Sequence, residues 1–214
     1  LQTYLGSVDA TYDVFRSKYA KLAPARQLPV AKSETSSDPR TAFNLHLADY
    51  AILHSPYAKL VQKGFARMLY NDYVVDPKNP LFASIPEEYQ RLERRDTIVN
   101  KDVEKAFTGL AKELIAKRLE PSMETVRRCG NMYSASLYGG LASLLSTVPS
   151  EELQGKRILM YSFGSGSAAT MFMLRVNGST ENIRKMLNLH ERLSQMHVVP
   201  CTVYVDALST REAT

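Results

Sequence analysis

Apolar side chains recur at three- and four-residue spacing from the start of the chain: Leu1, Tyr4, Leu5, Val8, Tyr12, Phe15, Tyr19 and Leu22. A helix turns once in about 3.6 residues, so this period lines them up on one stripe. The pattern predicts an amphipathic helix whose tyrosines pack in the core, with Asp9, Asp13, Arg16 and Lys18 on the wet side. The character then changes. Pro24, Pro29 and Pro39 punctuate a Ser/Thr/Lys-rich stretch, Lys32 to Ser37, which predicts a flexible surface loop over about 24–42.

Beyond the loop, Tyr50 to His54 reads as a buried strand. Ser55 suits a helix N-cap and Pro56 the first helical position, where its missing N–H costs nothing. The next helix is expected from Pro56 to about Asp72, burying Leu60, Val61, Phe65, Met68 and Leu69. Pro77, Pro80 and Pro86 break the period. Val103, Phe107, Leu110, Leu114 and Ile115 then predict a helix from Lys101 to Arg118, stopped by Pro121. Ser122 to Val126 reads as a short strand, and Tyr133 to Thr147 as a helix. The pair Gly139-Gly140 is poor for helix propensity, so another backbone, within the chain or at a subunit contact, is expected to approach closely there. Arg157–Ser162 and Ala168–Val176, joined by the tight turn Gly164-Ser165-Gly166, predict a hairpin. Glu181 to Gln195 is expected to be helical and Val198 to Val205 extended. Mixed strands and helices without an internal repeat make an α/β protein, whose topology the pattern leaves open.

Composition adds bounds. A chain of 214 residues, 44% apolar and 23% charged, is long enough for one domain with a sizeable core. No apolar run approaches the roughly 18 residues that a membrane span needs. Two cysteines, Cys129 and Cys201, make no disulfide framework and fit a reducing cytoplasm. No Cys/His spacing suits zinc, so no metal is expected. The net charge of +5 favours polyanions, of which nucleic acid is one. With no nucleic-acid motif and no Lys/Arg run longer than two, nucleic acid is not an expected partner.

The stretch His54 to Lys63 concentrates the candidate chemistry. It sets an imidazole at a strand end, a helix N-terminus beside it, and Lys59 and Lys63 on one helix face. That suits a phosphate-bearing anion whose reacting end reaches the histidine. The plain alternatives are a satisfied core histidine and a solvated lysine face. Gly130-Asn131 and Gly164-Ser165-Gly166 are either ordinary turns or places where the backbone approaches a ligand. His46, His190 and His197 have no comparable context.

His54-Ser-Pro-Tyr-Ala-Lys-Leu-Val-Gln-Lys63 closely resembles a segment of eukaryotic-type 3-hydroxy-3-methylglutaryl-CoA (HMG-CoA) synthases. Three more blocks match in order: Gly130-Asn131-Met132-Tyr133; Tyr138 to Leu145 with its paired glycines; and Gly155-Lys156-Arg157 followed by Tyr161 to Gly166. The resemblance runs from about Leu1 to Val176 and implies the C-terminal half of a thiolase-like, layered αβαβα fold, taken as one domain over 1–214. It implies an acyltransferase that condenses acetyl-CoA with acetoacetyl-CoA to HMG-CoA and CoA in the mevalonate route to isoprenoids and sterols. In that family His54 would meet the acetoacetyl-CoA carbonyl, Lys59 and Lys63 would contact CoA, and Asn131 and Ser165 would bind substrate. CoA thioesters are substrates there, so no cofactor is implied. The nucleophilic cysteine and general-base glutamate belong to an N-terminal half that this chain lacks. Cys129 stands where members commonly carry a polar residue, and is not expected to replace that nucleophile. The parent is expected to be a cytoplasmic homodimer without membrane or nucleic-acid partners, and the chain alone to be inactive. The rival expectation is a non-catalytic acyl-CoA-binding or scaffold fragment.

Overall fold

The computed structural model describes residues 1–164 and 166–212. Helix α1 spans Gln2–Arg26, running past the expected end through Pro24. Tyr4, Leu5, Val8, Tyr12 and Tyr19 are buried as the spacing predicts, while Leu1 and Leu22 at the ends are exposed. The wet side needs correction: Asp9 and Arg16 are buried, Arg16 completely. Periodicity reports only angular position, and here the next long helix brings polar partners to that face. Arg67 grips both carboxylate oxygens of Asp9, at 2.7 and 2.6 Å. Arg16 donates to the Asn71 carbonyl at 2.9 Å and to Asp72 at 3.3 Å. Buried charges persist only when paired in this way.

The segment after α1 is tied at several points. Tyr19 donates its hydroxyl to the Pro29 carbonyl, and Ser36 and Thr35 donate to the Val75 carbonyl and Asp76. Strand β1 is Tyr50–Leu53 and helix α2 is Ala58–Val75. Ser55 and Pro56 therefore precede the helix, and Tyr57 occupies the N-cap position. The Ser55 hydroxyl donates instead to the Leu53 carbonyl at 2.7 Å. That satisfies a carbonyl at the buried end of β1, a stronger demand than an N-cap that water can serve. Leu60, Val61, Phe65, Met68 and Leu69 are all buried, as expected.

Helix α3, Lys101–Leu110, starts on Asn100, whose side chain accepts the N–H groups of Asp102 and Val103. The expected continuation to Arg118 is broken into α4, Lys112–Leu114, and a π turn over Ile115–Leu119. The short strand expected at Ser122–Val126 is not formed: α5, Glu124–Cys129, is helical. The β-branched pair Thr125-Val126 favours a strand locally, but Thr125 is held by Ser143, whose hydroxyl accepts its N–H at 3.0 Å. Tertiary contact overrides the propensity. Ser143 belongs to α6, Ser136–Thr147, which is followed by α7, Ser150–Leu153. Strands β2, Arg157–Phe163, and β3, Ala169–Arg175, form the expected hairpin.

The last helical stretch divides into α8, Glu181–Leu187, and α9, Leu189–Ser194, at Asn188 with φ 40°. The tail expected to be extended is helix α10, Cys201–Glu212, exposed throughout. An extended tail needs a neighbouring strand to take its backbone groups; a helix satisfies them internally.

The sheet runs β1-β2-β3, with β1 parallel to β2 and β3 antiparallel. Side chains alternate between its faces. Leu53, Leu159 and Tyr161 join the core formed with α1 and α2. Ile52, Ile158 and Met160 pack with Leu137, Leu144 and Leu153 on the opposite face. Helices therefore cover both sheet faces, the α/β arrangement expected. The close approach at the paired glycines is to a side chain first. A Cβ on Gly140 would lie 2.6 Å from Ile52 Cγ2, and 3.5 Å from the Ser122 carbonyl oxygen.

Candidate functional site

His54 directly follows β1. Its N–H donates to the Tyr161 carbonyl at 2.7 Å, so the parallel ladder reaches one residue past the strand. Its carbonyl accepts the Tyr4 hydroxyl at 2.9 Å. The half-buried imidazole lies beside Phe163, with ring centroids 6.2 Å apart. No hydrogen-bond partner meets the ring nitrogens among the described residues. Burial holds the imidazole below its ordinary pKa of 6.5, because a charged ring would lose solvation there. A neutral imidazole carries one N–H donor and one acceptor, so it can hydrogen-bond a carbonyl oxygen or exchange a proton with it.

Parallel strands end together. Leu53 is paired with Tyr161, so His54 and the turn after β2 share the carboxyl end of the sheet. Open α/β sheets bind ligands at such ends. The turn is closed by the Gly164 N–H donating to the Ala168 carbonyl at 2.8 Å. Ser165, the sequence candidate within it, lies outside the described residues.

The two lysines differ. Lys59 is exposed in the first turn of α2 and has no ion-pair partner among the described residues. Lys63, one turn on, is half-buried, with Nζ 3.0 Å from the Glu104 carboxylate of α3. Spacing placed both on one stripe; packing of α3 against α2 separates them.

Asn131 is exposed. Its Oδ1 accepts the Tyr133 N–H at 2.8 Å and the Ser136 hydroxyl at 3.4 Å, closing a turn that leads into α6. The turn chemistry foreseen as the plain alternative is thus present, and it consumes the amide oxygen. The Nδ2 group has no partner among the described residues and remains a donor. Gly130, with φ 68° and ψ −144°, supplies a conformation that a side chain would strain.

The other candidates are structural in their contacts. His190 Nδ1 meets Glu124 at 2.9 Å and Nε2 meets the Ser146 carbonyl at 3.0 Å; these bonds raise its pKa above 6.5. His46 is lowered by burial and then by Arg118. Cys129 is exposed at the end of α5. No group of three or more His, Cys, Asp or Glu residues suited to a metal occurs among the described residues. No described helix is long and apolar enough to cross a membrane. The sequence reading passed over Tyr4 and Phe163, the residues that contact His54. Tyr4 gave only the signal of a core stripe, and nothing local linked it to a histidine 50 residues away.

Known structures share this architecture. The structure described as MvaS in complex with 3-hydroxy-3-methylglutaryl coenzyme A matches 92% of this chain and 44% of its own, with TM-score 0.60 and 22% identity. The curacin biosynthetic pathway HMG synthase with apo donor-ACP matches 78% of this chain and 33% of its own, with TM-score 0.54 and 18% identity. These likenesses define an α/β protein of thiolase-like fold.

The family follows from sequence. The model described as hydroxymethylglutaryl-coenzyme A synthase C terminal matches residues 1–214. The chain belongs to that family. It is 56% identical to a hydroxymethylglutaryl-CoA synthase of Mycosarcoma maydis, covering 100% of this chain and 46% of that protein. It is 44% identical to one of Ganoderma lucidum, covering 99% and 43%. It is 36% identical to one of Schizosaccharomyces pombe, covering 99% and 44%. The chain spans less than half the length of these relatives.

Proposed function

We propose that this chain is the C-terminal part of an HMG-CoA synthase, an acyltransferase that condenses acetyl-CoA with acetoacetyl-CoA. The observation that carries the reading is His54: a half-buried imidazole, its pKa lowered by burial, whose ring nitrogens meet no partner among the described residues, at the carboxyl end of a parallel strand pair. The N-terminal half, which this chain lacks, supplies the nucleophilic cysteine and the general-base glutamate. Acetyl transfer to that cysteine releases one CoA thiol. Loss of a methyl proton generates a carbanion equivalent that attacks the ketone carbon of acetoacetyl-CoA. The ketone oxygen gains negative charge as the new carbon–carbon bond forms and takes up one proton, which balances the one that the methyl group gave to the glutamate base. An imidazole N–H from His54 stabilises that oxygen. Water then cleaves the thioester to the cysteine, freeing HMG-CoA.

Lys59 offers a point charge to the CoA phosphates, and Lys63 a second once it leaves Glu104. Asn131 Nδ2 donates to a substrate carbonyl, and Ser165 of the Gly-Ser-Gly motif adds a further substrate contact. CoA thioesters are substrates, so the protein needs no cofactor. The parent enzyme is a cytoplasmic homodimer serving the mevalonate route.

The test is release of CoA thiol from acetyl-CoA plus acetoacetyl-CoA. The chain alone is expected to be silent, and an N-terminal half supplied in trans to restore turnover that His54→Ala removes again. Turnover by the chain alone would overturn the division of labour and redirect attention to Cys129. Silence in both, with acetoacetyl-CoA still bound, would mark a non-catalytic acyl-CoA-binding module.

A further inference from the structure

Three residues from three elements close a ring of hydrogen bonds at the end of β1. Tyr4 of α1 donates its hydroxyl to the His54 carbonyl at 2.9 Å. The His54 N–H donates to the Tyr161 carbonyl of β2 at 2.7 Å. The Tyr161 hydroxyl donates back to the Tyr4 carbonyl at 3.3 Å. Both phenols are buried, so neither hydroxyl has water as a ready substitute for these partners. Burial, reinforced by Tyr161 at Tyr4 and by Asp9 at Tyr161, drives both above the ordinary phenol pKa, which keeps them O–H donors.

The rings repeat the linkage. Tyr4 stands edge-on to Tyr161 and to Phe163, with centroids 5.4 and 5.3 Å away. Phe163 in turn flanks the His54 imidazole. Gly64 of α2 leaves room for this packing: a Cβ there would lie 3.0 Å from Tyr4 Cε1 and 3.1 Å from Leu53 Cδ2. Tyr4 thus reaches His54 through its carbonyl and through the aromatic wall beside its ring.

An imidazole is commonly oriented by a hydrogen bond to its second nitrogen. Among the described residues His54 has none, and the contacts that fix its direction there are its backbone hydrogen bonds and Phe163. We infer that Tyr4 is a positioning residue for His54, on the reading of His54 proposed above. The hydroxyl holds the His54 peptide, the ring backs Phe163, and the imidazole is thereby aimed at the ketone oxygen. Tyr4 itself does not touch substrate.

The test compares Tyr4→Phe with Tyr12→Phe in the full-length protein that carries this chain. Tyr12 lies on the same helix, is equally buried, and donates its hydroxyl at 2.9 Å to Asp72 of α2 and not to β1. Tyr4→Phe is expected to lower kcat by about ten- to a hundredfold, with KM for acetoacetyl-CoA within about twofold, since misplacement of a reacting group acts on the chemical step. It should also shift the His54 imidazole resonances in NMR spectra. Tyr12→Phe should lower thermal stability comparably and leave kcat and those resonances at wild-type values. Unchanged kcat and resonances in Tyr4→Phe, or equal changes in both variants, would overturn the inference. His54→Ala is assayed alongside. Full turnover by that variant would refute the proposed role of His54, while the NMR comparison would still decide whether Tyr4 orients the ring.

Discussion

Lys63 Nζ lies 3.0 Å from the Glu104 carboxylate, joining α2 to α3. Lys101 approaches the same oxygen at 3.7 Å, so Glu104 has a second cation available if Lys63 departs. A lysine that serves a CoA phosphate must exchange this partner for that one. Glu104→Gln is therefore expected to tighten CoA binding by about two- to fivefold, and to cost less than about 1 kcal/mol of stability, because the pair is only partly buried. Calorimetric titration with CoA reads the first effect and urea denaturation the second. Unchanged affinity would count against the CoA contact proposed for Lys63.

The pair Asp9–Arg67 is of a different kind. Arg67 places two nitrogens on the two Asp9 oxygens and a third on Thr97 at 2.8 Å, all within the core between α1 and α2. Arg67→Met leaves Asp9 a buried carboxylate without its main partner and should cost about 3 kcal/mol. Replacing both members with apolar residues should cost less than this single change, which a double-mutant cycle by urea denaturation measures.

Two histidines should titrate on opposite sides of 6.5. Burial lowers His54, whereas Glu124 and the Ser146 carbonyl raise His190. NMR titration of the ring protons should resolve both midpoints. Glu124→Gln should bring His190 down and leave His54 in place. A His54 midpoint above 6.5 would contradict the neutral imidazole on which its proposed role depends.

Asp72 is pushed up to about 6, since burial outweighs the opposing help from Arg16, the Leu45 N–H and the Tyr12 hydroxyl. The folded protein therefore holds this proton more tightly than the unfolded chain, whose aspartate titrates near 3.8. The sign follows from linkage: the contribution of Asp72 is fully present below the unfolded value and is lost as pH rises toward about 6. Subtracting the stability curve of Asp72→Asn from that of the wild type should isolate a downward slope between those pH values. A flat difference would remove the shift.

Gly139 and Gly140 should respond differently to alanine. At Gly140 the new methyl meets Ile52 Cγ2 at 2.6 Å, an atom held in the sheet core. Overpacking of this kind costs about 1–3 kcal/mol. At Gly139 the closest obstacle is the end of the Met132 side chain, which can swing aside. Gly139→Ala also gains up to about 1 kcal/mol of helix propensity. Thermal denaturation should show a clear loss for the first variant and little change for the second.

Much of this protein was legible in its residues. The helix over Ala58–Val75, the hairpin of β2 and β3, and the buried tyrosines of α1 follow from periods of 3.6 and 2, which need only neighbouring residues. The ordered blocks around His54, Asn131 and the Gly164–Gly166 turn identified the family, because short motifs are local by nature. Local signals also misled. Ser55 was a good N-cap until the Leu53 carbonyl needed its hydroxyl, and Thr125-Val126 a good strand until α6 claimed it.

Only the tertiary structure decided which polar groups would be buried and with whom. Asp9 meets Arg67 across 58 residues of sequence, and Tyr4 meets His54 across 50. Periodicity assigns a side chain to a face of its own element. It carries no record of what packs on that face, and the partner sets the free energy of a buried charge or hydroxyl. The sequence thus determined most of the elements and the family. The packing of α1 and α2 against the sheet determined how His54 is held and that burial lowers the pKa of its ring.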